Sequence, residues 1–126
     1  MDAPLIRVKK VLKMRLWSDE AGNHWKRNVV EVGGGILAVS QFTLYARTDK
    51  GAKPDFHTAM KTEEARAMFN QVVDLFKSAH PQGAIQTGAF GEMMDIEIHN
   101  DGPVTLILES SRGDGGTAPG TLSTKT

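Results

Sequence analysis

The fold of this chain is decided by the stretch Ile36–Tyr45, which reads ILAVSQFTLY. Its first half is apolar, which is typical of a strand that is buried on both faces. The polar residues Ser40 and Gln41 interrupt this run, and groups at the end of a strand commonly take part in binding. Ordinary β structure explains the same residues, because threonine is favoured in strands and serine is tolerated. The residues alone leave both interpretations open.

Further patterns flank this strand. Residues 5–13 place apolar side chains at helical spacing, so they look like the end of an amphipathic helix with a basic outer face. Asn28–Val32 is predicted to be a strand that ends at a glycine turn. A second helix is predicted from Glu63 to about Lys77, with Thr62 as its N-cap, and it should end before His80.

Three more segments have strand-like patterns. Residues 85–90 form a short candidate strand. Met94–Ile98 alternates apolar and polar side chains, and Val104–Glu109 is predicted to return after a turn. Strands mixed with two helices predict an α+β fold, with an antiparallel-rich sheet and helices packed on one side.

One domain is predicted over residues 1–110, followed by a disordered tail over residues 111–126. The chain length of 126 residues fits a single domain. The tail is rich in glycine, serine and threonine and contains one large apolar residue, Leu122.

The composition excludes several kinds of site. The absence of cysteine removes disulfides, thiol catalysis and thiolate metal ligands. The histidines are scattered without ligand spacing, so we expect no metal site and a surface or loop position for each histidine. No phosphate loop or dinucleotide fingerprint is present, so no cofactor is expected. The chain has no apolar run of membrane-spanning length and no signal-peptide pattern, which predicts a cytoplasmic protein without a membrane partner.

Charge is divided unevenly, although the formal net charge is zero. Residues 1–61 carry 11 Lys/Arg and 6 Asp/Glu, a net of +5, and residues 62–126 carry 4 and 9, a net of −5. A basic half attracts phosphate backbones. An ordinary solvated face has the same composition, so charge alone does not decide between these readings.

A second polar interruption, Asn100–Thr105 with the sequence NDGPVT, lies between the last two predicted strands. A hairpin turn explains this composition. X–Pro bonds are cis in about 5–6% of folded cases, and a cis Gly102–Pro103 bond could hold two carbonyl oxygens side by side. Such a pair would receive an ammonium group.

Taken together, Ser40–Leu44 and Asn100–Thr105 resemble the two signature motifs of the D-aminoacyl-tRNA deacylases. The resemblance runs from about Lys10 to Ser110 without a large gap, and the motifs occur in the same order. Three other segments are similar to the eukaryotic branch of that family: Lys53–His57, Thr87–Gly91 and Met94.

The resemblance implies a barrel-like fold, a homodimer and an active site at the dimer interface. Ser40–Leu44 would line the pocket that holds the terminal adenosine of tRNA and its amino acid. Gly102 and Pro103, joined by a cis bond, would reach in from the other protomer and bind the substrate ammonium through their carbonyls. An L side chain would then clash with this backbone, whereas a D side chain would point to solvent. Glycine, which has no side chain, would not be excluded.

The same resemblance suggests roles for individual residues in ester hydrolysis. The backbone N–H groups of Phe42 and Thr43 are the candidate oxyanion donors, and the Thr43 hydroxyl would orient water or the ester. Ser40 and Gln41 complete this catalytic segment. No nearby side chain has the pKa of a general base, so the ribose 2′-hydroxyl of the substrate would assist. The expected pocket residues are Met94, Phe90, Asn100 and Thr105.

Two alternatives accompany this interpretation. Family members usually begin with an upstream strand pair that has no counterpart here, so we expect an exposed sheet edge or apolar face. The chain could then be a truncated, inactive relative that dimerises or binds nucleic acid. Alternatively, its main task could be the removal of glycine from mischarged tRNA.

Overall fold

A computed structural model describes residues 3–110 of the chain. The described residues fall into two compact units that divide between Ile96 and Glu97, and each unit is described separately. The tail predicted for residues 111–126 lies outside the described residues.

The first helix, α1, spans Ala3–Lys13 and confirms the amphipathic pattern. Val8 and Leu12 are one helical turn apart and both are buried. Lys10 and Lys13 occupy the last turn, where positive charge is favourable to the helix dipole. The predicted basic outer face is therefore present.

The second helix, α2, spans Thr62–Ala79. Val73 and Phe76 are buried on its inner face, as the helical spacing predicted. The predicted N-cap is wrong by one residue, because Lys61 is the cap and its carbonyl already accepts from the N–H of Ala65 at 2.8 Å. Helical bonding thus begins before Thr62 can act as a cap.

The core of the first unit joins both helices to the loops between them. Val8 and Leu12 of α1 pack with Val29 and with Phe76 of α2. The partly buried side chains around this cluster are Val11, Ile36, Val72, Leu75 and Ile85.

The described residues do not contain the predicted antiparallel-rich sheet. Strand β1 (Ile36–Ala38) pairs in parallel with β2 (Ile85–Thr87), with Ile36 opposite Ile85. The connection between them contains α2, and such crossovers join parallel strands. Two isolated antiparallel bridges, Trp17 with Arg27 and Arg47 with Asp55, are the only antiparallel pairings in residues 3–110.

Two predicted strands are shorter or absent. The stretch predicted as one strand from Ile36 leaves the sheet after Ala38, and Phe42–Tyr45 forms a short 3₁₀ helix, η1. With one neighbouring strand and with Leu37 66% exposed, β1 is not buried on both faces as predicted. Asn28–Val32 forms turns instead of a strand, because the Asn28 side chain accepts from the N–H of Glu31 at 2.9 Å.

His80 corrects the expectation that every histidine lies at the surface or in a loop. Its side chain is 2% exposed at the C-cap of α2. Its Nε2–H donates to the carbonyl of Gly34 at 2.8 Å. Because Gly34 immediately precedes the residues that lead into β1, His80 joins the end of α2 to the start of the sheet.

The second unit contains no helix or strand within residues 97–110. The strands predicted at Met94–Ile98, which spans the division between the units, and at Val104–Glu109 are not formed. Their backbone groups have no backbone partner in the described part of the chain. The side chains in this unit are exposed. The exposed large apolar residues include Ile98, Val104, Leu106, Ile107 and Leu108.

Across residues 3–110, no helix has both the length and the apolar character needed to cross a membrane.

Candidate active site

The first motif turns from β1 into η1 and leaves two adjacent N–H groups without acceptors. Gln41 is extended, with φ −149° and ψ 97°, and the 3₁₀ helix starts at Phe42. The first N–H groups of a helix have no acceptor within it. No other acceptor within residues 3–110 contacts the N–H of Phe42 or of Thr43. Two consecutive backbone donors are therefore available to a ligand oxygen.

The Thr43 side chain is held by its neighbour. The Gln41 side-chain amide donates to Thr43 Oγ1 at 2.5 Å, and both residues are exposed. The Thr43 carbonyl accepts from the N–H of Ala46 at 3.1 Å, which closes the short helix. Because Oγ1 accepts from Gln41, its own proton can be donated to a bound molecule. Ser40 is half-buried at the junction between β1 and η1.

A loop that carries the Lys53–His57 segment packs against η1. The rings of Phe42 and Phe56 meet edge to face, with centroids 5.0 Å apart at 73°. The Thr58 hydroxyl donates to the carbonyl of Tyr45 at 3.2 Å. These contacts fix the position of Phe42, whose ring is nevertheless 60% exposed.

Asp55 and His57 are joined by two hydrogen bonds in the same loop. The N–H of His57 donates to Asp55 Oδ1 at 2.9 Å, and its Nδ1–H donates to Oδ2. These bonds, the backbone one first, hold the pKa of Asp55 below its ordinary value of 3.8, and the charge of Arg47 contributes less. The sequence interpretation assigned no role to this pair, although an acidic residue two positions before a histidine is the signal that could have indicated it.

Met94 lies at the strand that leads into η1. Its sulfur accepts from the N–H of Ala89 at 3.3 Å. A Cβ at Gly88 would lie 3.0 Å from the Met94 sulfur and 3.7 Å from Cγ2 of Val39. Gly88 therefore allows Met94 to approach the end of β1.

Phe90, the other expected pocket residue in the first unit, faces α2. Its ring packs on Phe69 at 5.7 Å, and the guanidinium of Arg66 lies 4.7 Å from its centroid. Among the described residues, no ring contact joins Phe90 to Phe42. The structure thus brings Met94, but not Phe90, close to the end of β1, which precedes the first motif.

The second motif lies in the second unit and is exposed throughout. The Gly102–Pro103 bond is cis, as the resemblance led us to expect. Gly102 has φ +115°, a conformation that favours glycine. Asn100 and Thr105, the remaining expected pocket residues, are exposed on either side of this turn.

In the described part of the chain, His, Asp and Glu side chains form no group of three or more that could hold a metal ion.

Comparisons with known proteins point in one direction. The sequence model of the family described as D-Tyr-tRNA(Tyr) deacylase matches residues 4–109. The chain is 50% identical over 102 residues to the D-aminoacyl-tRNA deacylase of Kluyveromyces lactis, covering 81% of this chain and 68% of that protein. It is 46% identical over 104 residues to the Saccharomyces cerevisiae protein of the same name, covering 82% and 69%. Identity to D-aminoacyl-tRNA deacylase 1 of Homo sapiens is 43% over 116 residues, covering 92% and 52%.

A solved structure titled c-Myc DNA Unwinding Element Binding Protein has a similar fold. The two share 42% sequence identity with a TM-score of 0.78. The match covers 86% of this chain and 72% of that one.

Proposed function

Because this chain belongs to the D-Tyr-tRNA(Tyr) deacylase family, we propose that it hydrolyses the ester bond of D-aminoacyl-tRNA and releases free tRNA and a D-amino acid. The observation that carries this function is a family match over residues 4–109, which contain both motifs. The chain is accordingly a carboxylic ester hydrolase. We place its action in the cytoplasm, where aminoacyl-tRNA is used.

The oxyanion of the reaction is stabilised by η1. As water attacks the ester carbonyl, negative charge develops on its oxygen. The N–H groups of Phe42 and Thr43 lack acceptors within residues 3–110 and are adjacent, so both can donate to this oxygen. One well-placed donor of this kind contributes about 3–4 kcal/mol to the transition state.

Thr43 positions the reacting groups, and Gln41 positions Thr43. The Gln41 amide fixes Thr43 Oγ1 as an acceptor, which leaves the hydroxyl proton for the attacking water or the ester. The bond between the acyl carbon and the ribose oxygen breaks, and the proton of the attacking water passes to this departing oxygen with the assistance of the neighbouring ribose 2′-hydroxyl. This assignment is supported by the side chains of η1, none of which is a histidine or a carboxylate.

Chiral selection depends on main-chain atoms of the second motif. The carbonyl oxygens of Gly102 and Pro103 accept hydrogen bonds from the substrate ammonium. With the ammonium and the ester fixed, an L side chain would meet the Gly-Pro backbone and a D side chain would not. Rejection by backbone does not depend on which side chain is present. Glycyl esters on mischarged tRNA therefore remain substrates.

The active form is a homodimer, and the Gly-Pro turn of one protomer enters the pocket of its partner. The support is the exposed apolar side chains of residues 97–110, since contiguous apolar surface commonly marks an interface. In the dimer, residues 94–98 and 104–109 form strands of a barrel-like sheet, and the alternating pattern of Met94–Ile98 supports this proposal for the first of them. Asn100 and Thr105 then contact the substrate, with Met94 forming the pocket wall.

The test compares matched D-tyrosyl-, L-tyrosyl- and glycyl-tRNA with the purified chain. We expect rapid release of D-tyrosine and glycine, and L-tyrosine release near the uncatalysed rate. A folded protein that hydrolyses the two tyrosyl esters equally would refute the Gly-Pro selection. A folded protein that binds tRNA and hydrolyses none of them would instead support the alternative, an inactive relative that dimerises or binds nucleic acid.

A further inference from the structure

Helix α1 carries three lysines that line open surface grooves, and no residue of the first motif lines either groove. Lys9, Lys10 and Lys13 line one groove, together with Ile6 and Met14. Lys9 and Lys13 also line a second groove. The other residues of that second groove are Leu12, Asn28, Val30 and Ala79. Lys9 and Lys13 therefore belong to both grooves.

The ammonium groups on this face are available to a ligand. Lys9 and Lys13 are separated by four positions, which places them on the same side of α1 with a rise of about 6 Å between them. None of the ion pairs found within residues 3–110 includes Lys9, Lys10 or Lys13. Residues 1–61 as a whole carry the net charge of +5. The lysine face thus belongs to the basic half of the sequence, and its lysines have no carboxylate partner within residues 3–110.

The helix dipole explains only part of this arrangement. Positive charge in the last turn stabilises a helix and accounts for Lys10 and Lys13. It does not account for Lys9, or for the continuation of the second groove from α1 to Asn28 and Ala79. A surface that extends beyond the helix end points to a ligand that is longer than one side chain.

We propose that the Lys9–Lys13 face binds the phosphate backbone of the base-paired part of the tRNA substrate. This inference rests on the proposed function. The terminal adenosine must reach η1, so the negatively charged body of the tRNA must lie against another part of the surface. Lysine binds phosphate as a compact point charge. No aromatic side chain lines either groove, which favours contacts with phosphates over stacking on unpaired bases.

The face contacts the body of the substrate and not the reacting ester. Its loss should therefore weaken the binding of tRNA and leave the chemical step unchanged. Each phosphate contact also contributes close to one unit to the dependence of log affinity on log salt. We therefore expect that removing the lysines raises KM for the tRNA substrate and reduces the salt dependence of binding.

The experiment compares Lys9→Gln/Lys13→Gln with Lys50→Gln/Lys61→Gln, a control that removes the same charge outside both grooves. We expect the first variant to raise KM for D-tyrosyl-tRNA about 10- to 30-fold at low salt, and to lower the salt slope by about 2. Hydrolysis of D-tyrosyl-adenosine, which has no tRNA body, should be unchanged in both variants. Lys9→Arg/Lys13→Arg, which keeps the charge, should retain most of the affinity.

Several outcomes would overturn the inference. An unchanged KM for tRNA, or an equal loss in the control variant, would exclude a specific phosphate contact. An equal loss on D-tyrosyl-adenosine would show that the lysines act through the fold or the active site. Competition by polyglutamate that equals competition by duplex RNA would indicate an acidic protein partner instead. Binding of uncharged tRNA, measured by fluorescence anisotropy, tests the lysine face even if no ester is hydrolysed. Failure of the proposed function can therefore be distinguished from failure of this inference.

Discussion

Replacing Gly83 by alanine should disrupt the junction between the end of α2 and the sheet. A Cβ at Gly83 would lie 1.9 Å from Nε2 of His80 and 2.2 Å from its Cδ2, far inside van der Waals contact. Gly83 does not have a positive φ, so alanine meets no backbone penalty there. The substitution therefore acts first on His80, whose ring atoms are the three nearest to the added Cβ.

The expected cost follows from what the His80 ring does. The ring is 2% exposed and donates to the Gly34 carbonyl at 2.8 Å. Overpacking a filled site costs about 1–3 kcal/mol. Displacing the ring also breaks the hydrogen bond and leaves Gly34 with an unsatisfied carbonyl, which costs roughly 1–3 kcal/mol. Because the terms overlap, we expect a loss of about 2–4 kcal/mol and a Tm lower by roughly 10 °C.

Urea denaturation followed by the fluorescence of Trp17 and Trp25 measures this loss. The decisive comparison is the same substitution in a His80→Ala background. With the imidazole removed, Gly83→Ala should be neutral or should stabilise the protein by up to about 1 kcal/mol, because alanine lowers the conformational entropy of the unfolded chain. If Gly83→Ala costs as much in that background as in the wild type, the ring is not its target and the reasoning fails.

Three further changes test other parts of the site. Thr43→Ala should lower kcat for D-tyrosyl-tRNA roughly tenfold without abolishing it, because the backbone donors remain; complete loss in a folded variant would mean that the hydroxyl is the nucleophile or base. The lowered pKa of Asp55 adds stability above its ordinary value of 3.8, and this is lost as pH falls through the lowered folded value. Asp55→Asn should therefore show a smaller decline in Tm across that acidic range than the wild type, and equal declines would exclude the contribution of His57. Gly88→Ala, whose Cβ would lie 3.0 Å from the Met94 sulfur, should displace Met94 and raise KM, whereas unchanged steady-state kinetics would remove Met94 from the pocket wall.

The helices were predictable because their signals are local. The spacing of Val8 and Leu12, and of Val73 and Phe76, sets the inner faces of α1 and α2 before any tertiary contact is considered. Errors were confined to the start of α2, where Lys61 supplies the cap position without a side-chain bond.

The strands were less predictable because their limits depend on distant partners. β1 ends at Ala38, whose carbonyl accepts from the N–H of Gly88 at 3.3 Å, and nothing near Ala38 in sequence indicates this pairing. The parallel orientation could have been predicted, since two short strands separated by a long helix are the pattern of a crossover. The burial of His80 had no local signal, because its acceptor, Gly34, lies 46 positions away.

The sequence led to a hypothesis about which residues form the candidate site, but not about their geometry. The sequence pointed to Phe42 and Thr43 through the motif that contains them. It did not show that the residues leave the strand and form η1, which is what frees their N–H groups. The edge-to-face contact of Phe42 with Phe56 joins residues from separate segments, so the sequence of neither segment predicts it.

The two motifs differ in how the fold supports them, and this difference bears on how the enzyme works. η1 follows directly from β1 and is held by Phe56 and by the Thr58 hydroxyl, so its backbone donors are positioned before substrate arrives. The Gly102–Pro103 turn lies among residues whose backbone groups have no backbone partner within residues 3–110. A selective receptor made of carbonyls needs fixed positions, because discrimination between D and L side chains depends on a clash that a yielding backbone would relieve. A second protomer that covers the apolar side chains of residues 97–110 would provide that restraint. On this argument the proposed oxyanion donors need only the single chain, whereas the proposed chiral selection needs the proposed dimer.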